Sequence, residues 1–162
     1  MNQLHITLEE NSPAIKWANT QADRIGARGH VGTHLDCYTT VPEKPEYNIT
    51  AMVLDCQNEM PKEEDIKSLT TLENMALLLH TANLERNEYG TDMYFSTETF
   101  LSEEVLHTYF GEETAFYYHR SHGIAEKGKR HIEFDKICEA NGCHVIENVD
   151  LSCIGNQKEV QL

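Results

Sequence analysis

The segment His30-Val31-Gly32-Thr33-His34-Leu35-Asp36 sets two imidazoles and a carboxylate at spacings of four and two residues. In an extended strand alternate side chains share a face, so His30, Gly32, His34 and Asp36 point one way. Val31, Thr33 and Leu35 point the other way, and two of those three are apolar. The glycine removes a side chain in the middle of the polar face, where something must approach closely. Two nitrogens and a carboxylate oxygen converging on one gap make a donor set suited to zinc. Spacing alone fits a solvent-facing polar strand equally well. Cys37, next in line, is a ligand, a nucleophile or an inert small side chain.

Flanking elements must hold such a cluster. Residues 26–29 (Gly-Ala-Arg-Gly) form a flexible lead, and residues 5–8 alternate weakly as an edge strand would. Pro42 and Pro45 forbid a regular ladder and mark a loop. Residues 48–56 read as a buried strand. Pro61 opens a short helix whose acids at 63–65 suit the helix dipole. The run 74–81 is too short and too continuously apolar for an amphipathic helix, which predicts a central strand. Phe100, Leu101, Val105, Leu106 and Tyr109 fall at helical spacing within 96–110. Residues 114–119 read as a strand, 132–140 as a helix stopping at Asn141-Gly142, and 143–147 as a returning strand. Strands outnumber helices in this reading, so the expectation is a sheet-rich α/β domain with a few packed helices. No repeat or long linker interrupts the 162 residues, which suits one domain over 1–162.

The formal net charge of −14 repels phosphate backbones and anionic lipid, which argues against nucleic acid and membrane as partners. The acidity either keeps the protein soluble or, in part, converges on a cation. Five cysteines without a CxxC pair, and no apolar run of export or membrane length, predict reduced thiols and a cytoplasmic protein.

Residues 30–40, His-Val-Gly-Thr-His-Leu-Asp-Cys-Tyr-Thr-Thr, resemble the signature His-x-Gly-Thr-His-x-Asp-x-Pro-x-His of the cyclase-like metal-dependent hydrolases, which include kynurenine formamidases and isatin hydrolases. Residues 141–151 resemble that family's closing segment, which ends on Ile-Glu-Asn-Leu, and residues 47–56 and 74–81 resemble two of its strands. The resemblance covers most of the chain. It implies a swivelling β/β/α domain holding one or two divalent ions, Zn²⁺ or Mn²⁺. Carried over by position, His30, His34, Asp36 and Glu147 are metal ligands, with Asp36 able to bridge two ions. A further family histidine falls on Asp135, itself able to ligate zinc. His131, one helical turn earlier, is either a ligand or an exposed helical histidine.

The resemblance further implies an amidohydrolase of the arylformamidase kind with a small-molecule substrate. Hydroxide formed at the metal would open the C–N bond of an amide, formamide or cyclic amide. The signature breaks at its end, where Tyr38 replaces the proline and Thr40 replaces the histidine that transfers protons. Threonine has no side-chain pKa near neutrality, so catalytic proton transfer falls to Asp36, Glu147 or His119, with His122 and His144 also available. Tyr38 and Thr40 are expected to line the substrate pocket. The alternative is a degenerate relative that binds metal or ligand without hydrolysis, favoured by Thr40 and Asp135. A homodimer or higher homo-oligomer is expected in either case, the family commonly oligomerising.

Overall fold

The computed structural model describes residues 3–25, 31–69, 75–97, 101–110 and 124–162. In chain order the elements are α1 (Pro13–Ile25), β1 (His34–Leu35), β2 (Thr50–Asp55), α2 (Glu63–Lys67), β3 (Ala76–His80), α3 (Asn83–Arg86), α4 (Asp92–Ser96), α5 (Glu103–Phe110), α6 (Ile124–Ala140), β4 (Ile146–Glu147) and β5 (Glu159–Gln161). Helices and sheet are mixed, as an α/β chain requires. The expected excess of strands is not found: six helices accompany five strands among the described residues.

The two continuous apolar runs form the parallel pair β2–β3, with Ala51 opposite Ala76 and Asp55 opposite His80. Such runs suit strands covered on both faces, and both faces are covered here. Leu54, Leu77 and Leu79 pack against Ile66 of α2, Val105 and Leu106 of α5 and Cys138 of α6. Val53, Ala76 and Leu78 pack on the other side against Leu151, Ile154 and Val160. Each fully buried aliphatic side chain contributes about 1.5–3 kcal/mol, so these two layers carry the fold. Among the described residues the strand order is β3-β2-β5, with β2 in the centre and β3 at an edge rather than central as expected for residues 74–81. Hydrophobicity reports coverage of the faces, not the number of neighbours. The third strand, β5, is polar on either side of Val160.

α2 crosses over between the parallel strands. Its start is fixed by the Lys62 N–H donating to Asp65 Oδ2 at 2.8 Å. α6 begins at Ile124, earlier than the expected 132. It ends in a Schellman turn: Cys143 N–H donates to the Cys138 carbonyl at 2.9 Å and Gly142 N–H to the Glu139 carbonyl at 3.0 Å, with Gly142 at φ +71. That turn sends the chain toward His144 and β4.

Other expectations shift. Residues 5–8 form only an isolated bridge, His5 to Val149. The helix expected over 96–110 is α5 alone, beginning at Glu103, with α4 ending at Ser96. Only Ile146 and Glu147 of residues 143–147 are paired as strand. The strand expected over 114–119 lies outside the described residues.

Candidate metal centre

The short antiparallel pair β1–β4 sets His34 opposite Glu147 and Leu35 opposite Ile146. Directly opposed residues in such a pair hold their Cβ atoms about 4.5–5.5 Å apart. Asp36, two residues beyond His34, joins them: one ligand atom from each of His34, Asp36 and Glu147 lies within 4.8 Å of the other two. His34 Nε2 is 3.7 Å from Asp36 Oδ2 and 3.6 Å from Glu147 Oε2, with the side chains 10%, 24% and 18% exposed. The cluster is therefore largely withdrawn from water yet reachable.

The distances fit a cation between the groups. They are longer than hydrogen bonds. Donors at about 2.0–2.2 Å from a tetrahedral zinc stand roughly 3.3–3.6 Å from one another. The His34 tautomer agrees. Nδ1 lies 2.7 Å from the Gly32 carbonyl, which can only accept, so Nδ1 is the donor there and, in the neutral ring, Nε2 is the nitrogen turned to the carboxylates as a ligand for an ion.

A brace of half-buried polar groups holds that carbonyl. Asn148 Nδ2 donates to it at 3.1 Å, and the Tyr94 hydroxyl donates to Asn148 Oδ1 at 2.6 Å. The Gly32 N–H donates to the Tyr89 hydroxyl at 2.8 Å. Thr33 Oγ1 donates to the Asn148 carbonyl at 2.6 Å and accepts from Ile6 N–H at 2.9 Å. Gly32 sits at φ +72, where an added Cβ would stand 3.1 Å from Leu8 Cδ1. The stretch entering the cluster therefore turns at Gly32, correcting the expected continuous strand with its single alternating face. The glycine serves the turn. Asn148, also left-handed at φ +54, allows a clean test. Asn148→Gly keeps that backbone relaxed while removing the amide, and should weaken divalent-ion affinity about 10- to 100-fold without loss of fold. Calorimetric Zn²⁺ titration of the two proteins measures it.

Tyr38 lies over the acidic groups. Partial burial first, then repulsion from Asp36, Asp135 and Glu147, pushes its phenol up to about 12. The ring is 39% exposed, and Lys136 Nζ stands 5.7 Å from its centroid. Asp135, on α6, is 2% exposed. It is close enough to act on Tyr38 but is not one of the three residues whose ligand atoms converge.

Glu139, 4% exposed and one turn after Asp135, clasps the loop that follows. It accepts the Tyr38 N–H at 2.7 Å on Oε1, and on Oε2 the Thr39 N–H at 2.6 Å, the Thr39 hydroxyl, and the Thr40 N–H at 3.0 Å. The Thr39 hydroxyl first, then these backbone donors, hold the carboxyl down to about 2. Its folded pKa lies below the unfolded one, so its contribution to stability is complete above the ordinary Glu pKa of about 4.3 and is lost as pH falls toward 2. Urea unfolding of wild type and Glu139→Gln should differ by a constant amount above about pH 4.5, and the difference should shrink below it. Thr40 is exposed and its N–H is tied to Glu139.

His30, His119 and His122 lie outside the described residues, as does the side chain of His131. His144 falls near Cys37 and Glu139 rather than with His34. Tyr89, Tyr94 and Glu139 carry no sequence signal for their roles, because each acts through backbone groups or a neighbouring amide. A shallow groove between α2 and α5, lined by Met60, Lys62 and Val105, lies on elements that contribute nothing to the cluster. No helix among the described residues is long and apolar enough to cross a membrane. Comparison with protein-family models, curated proteins and solved structures gives no match.

Proposed function

We propose that this chain is a metal-dependent hydrolase that opens the C–N bond of a small amide, formamide or cyclic amide, on a fold of the swivelling β/β/α kind. The observation that carries the reading is the β1–β4 register, which opposes His34 to Glu147 with Asp36 alongside. A Zn²⁺ or Mn²⁺ ion held there would supply Lewis acidity and a water of lowered pKa. His34 offers the neutral nitrogen and the two carboxylates offset the ion's charge. If a second ion is used, Asp36 is the bridge and Asp135, buried nearby, the additional donor.

The chain's own groups provide the rest. Tyr38 keeps its proton at neutral pH, so its O–H is available as a donor to a substrate at the cluster. The Glu139 clasp holds residues 38–40 in place and thereby holds Tyr38. Asp36 or Glu147 would carry the proton toward the leaving nitrogen, a role Thr40 cannot fill. Partial exposure of the three ligands leaves a side open for a flat substrate against the Tyr38 ring.

The second reading, a metal binder without hydrolysis, is favoured by Thr40, whose exposed side chain supplies no base. An assay on aryl formamides, isatin and simple amides, with chelator-treated protein and added Zn²⁺ or Mn²⁺, separates the two. Metal-restored turnover of one substrate class is expected. Stoichiometric metal with no turnover of any would replace the hydrolase with the binder.

A further inference from the structure

A second group of donors lies beside the first. One ligand atom from each of Cys37, Glu139 and His144 lies within 4.8 Å of the other two. They come from three segments: Cys37 follows Asp36, Glu139 lies one helical turn after Asp135, and His144 follows the Schellman turn that ends α6. Glu139 is buried, His144 half-buried and Cys37 exposed, so the group opens to solvent on the thiol side.

The imidazole supplies an independent observation. His144 Nδ1 is buried and has no hydrogen-bond partner among the described residues. A buried polar atom in that condition is uncommon in folded proteins and calls for a ligand, an ion or a water. The carboxylate also has capacity. Glu139 Oε2 is taken up by three donors, whereas among the described residues Oε1 accepts from Tyr38 N–H alone and retains a lone pair.

We propose that Cys37, Glu139 and His144 form a second cation site, distinct from the His34 cluster, that takes a thiophilic divalent ion such as Zn²⁺, Co²⁺ or Cd²⁺. Sulfur, imidazole and a single carboxylate oxygen select these ions over Mg²⁺, Ca²⁺ and Mn²⁺, which prefer oxygen. Water would complete the sphere on the exposed side. An ion here ties the end of α6 to the loop that carries Tyr38. The inference does not depend on the hydrolase reading.

The test is Co²⁺ titration of chelator-stripped, reduced full-length protein, followed by absorbance. The His34 cluster contains no sulfur, so a thiolate-to-cobalt charge-transfer band that depends on Cys37 reports the second site and not the first. The band should saturate by two equivalents in the wild type and by one in His34→Ala, vanish in Cys37→Ser, and require at least tenfold more Co²⁺ in His144→Ala. Circular dichroism confirms that each variant is folded, and Cys37 is exposed enough for serine to be tolerated. No charge-transfer band in the wild type, or a band that survives Cys37→Ser, would overturn the proposal. Loss of metal in His34→Ala with the band intact would bear only on the first site.

Discussion

His34→Ala is expected to weaken Zn²⁺ or Mn²⁺ binding at the first cluster by at least about 100-fold. Removing even a group that only orients a ligand costs 10- to 100-fold in affinity, and here a donor itself is lost. What remains is Asp36 and Glu147, two carboxylates facing each other with no neutral nitrogen between them. A soft-leaning borderline ion gains least from such a pair. Elemental analysis of protein purified without chelator, together with calorimetric titration, reads the change. Wild-type metal content in the variant would show that these three side chains do not share an ion. Turnover, where the wild type shows it, should fall in parallel.

Gly90→Ala is the substitution expected to damage the fold most. Gly90 sits at φ +89, and a Cβ built there would overlap the backbone nitrogen and Cα of Ala14 and lie 2.7 Å from its Cβ. Ala14 is 1% exposed and belongs to the first turn of α1. The contact is backbone against backbone, so no side chain can swing away. Left-handed strain of about 1–2 kcal/mol adds to overpacking of about 1–3 kcal/mol, for a total loss of about 2–5 kcal/mol. For a chain of this length that lowers the melting temperature by roughly 5–15 °C. An unchanged melting temperature would mean that α1 does not rest on Gly90.

The parts of the molecule that were legible in the sequence share a cause: their information is local. His34 and Asp36 stand in one short segment whose residue types suggest a metal site, Glu147 was reached through the resemblance of residues 141–151, and the structure brings the three together. β2 and β3 announce themselves because both faces are covered and every position can be apolar. β5 could not be read, since Glu159 and Gln161 flank its one buried side chain, Val160, yet it takes the open edge of β2 by backbone bonding. α1 carried a helix signal in Ser12-Pro13, a capping residue followed by proline at the first position, and in Ala14, Trp17, Ala18, Ala22 and Ile25 at helical spacing, a signal that the sequence reading passed over for the metal segment that follows. The bend at Gly32 was hidden because a glycine in an alternating run reads as a gap for a ligand or as a turn with equal ease. Glu139 was invisible for a different reason. Its partners are mostly main-chain N–H groups about a hundred residues away, and main chain leaves no trace in sequence.

Trp17 is the chain's single tryptophan, and its ring meets Phe95 at a centroid distance of 5.2 Å. Phe95 in turn touches Tyr94 at 5.5 Å and Tyr89 at 6.2 Å. Those two phenols are the ones that grip Asn148 and the Gly32 amide. The indole is thus an intrinsic fluorophore wired by ring contacts to the scaffold beneath the cation cluster. Emission excited at the tryptophan band reports, without any label, whether that scaffold is assembled, and a shift on adding metal would register the cluster tightening from the far side of the aromatic stack.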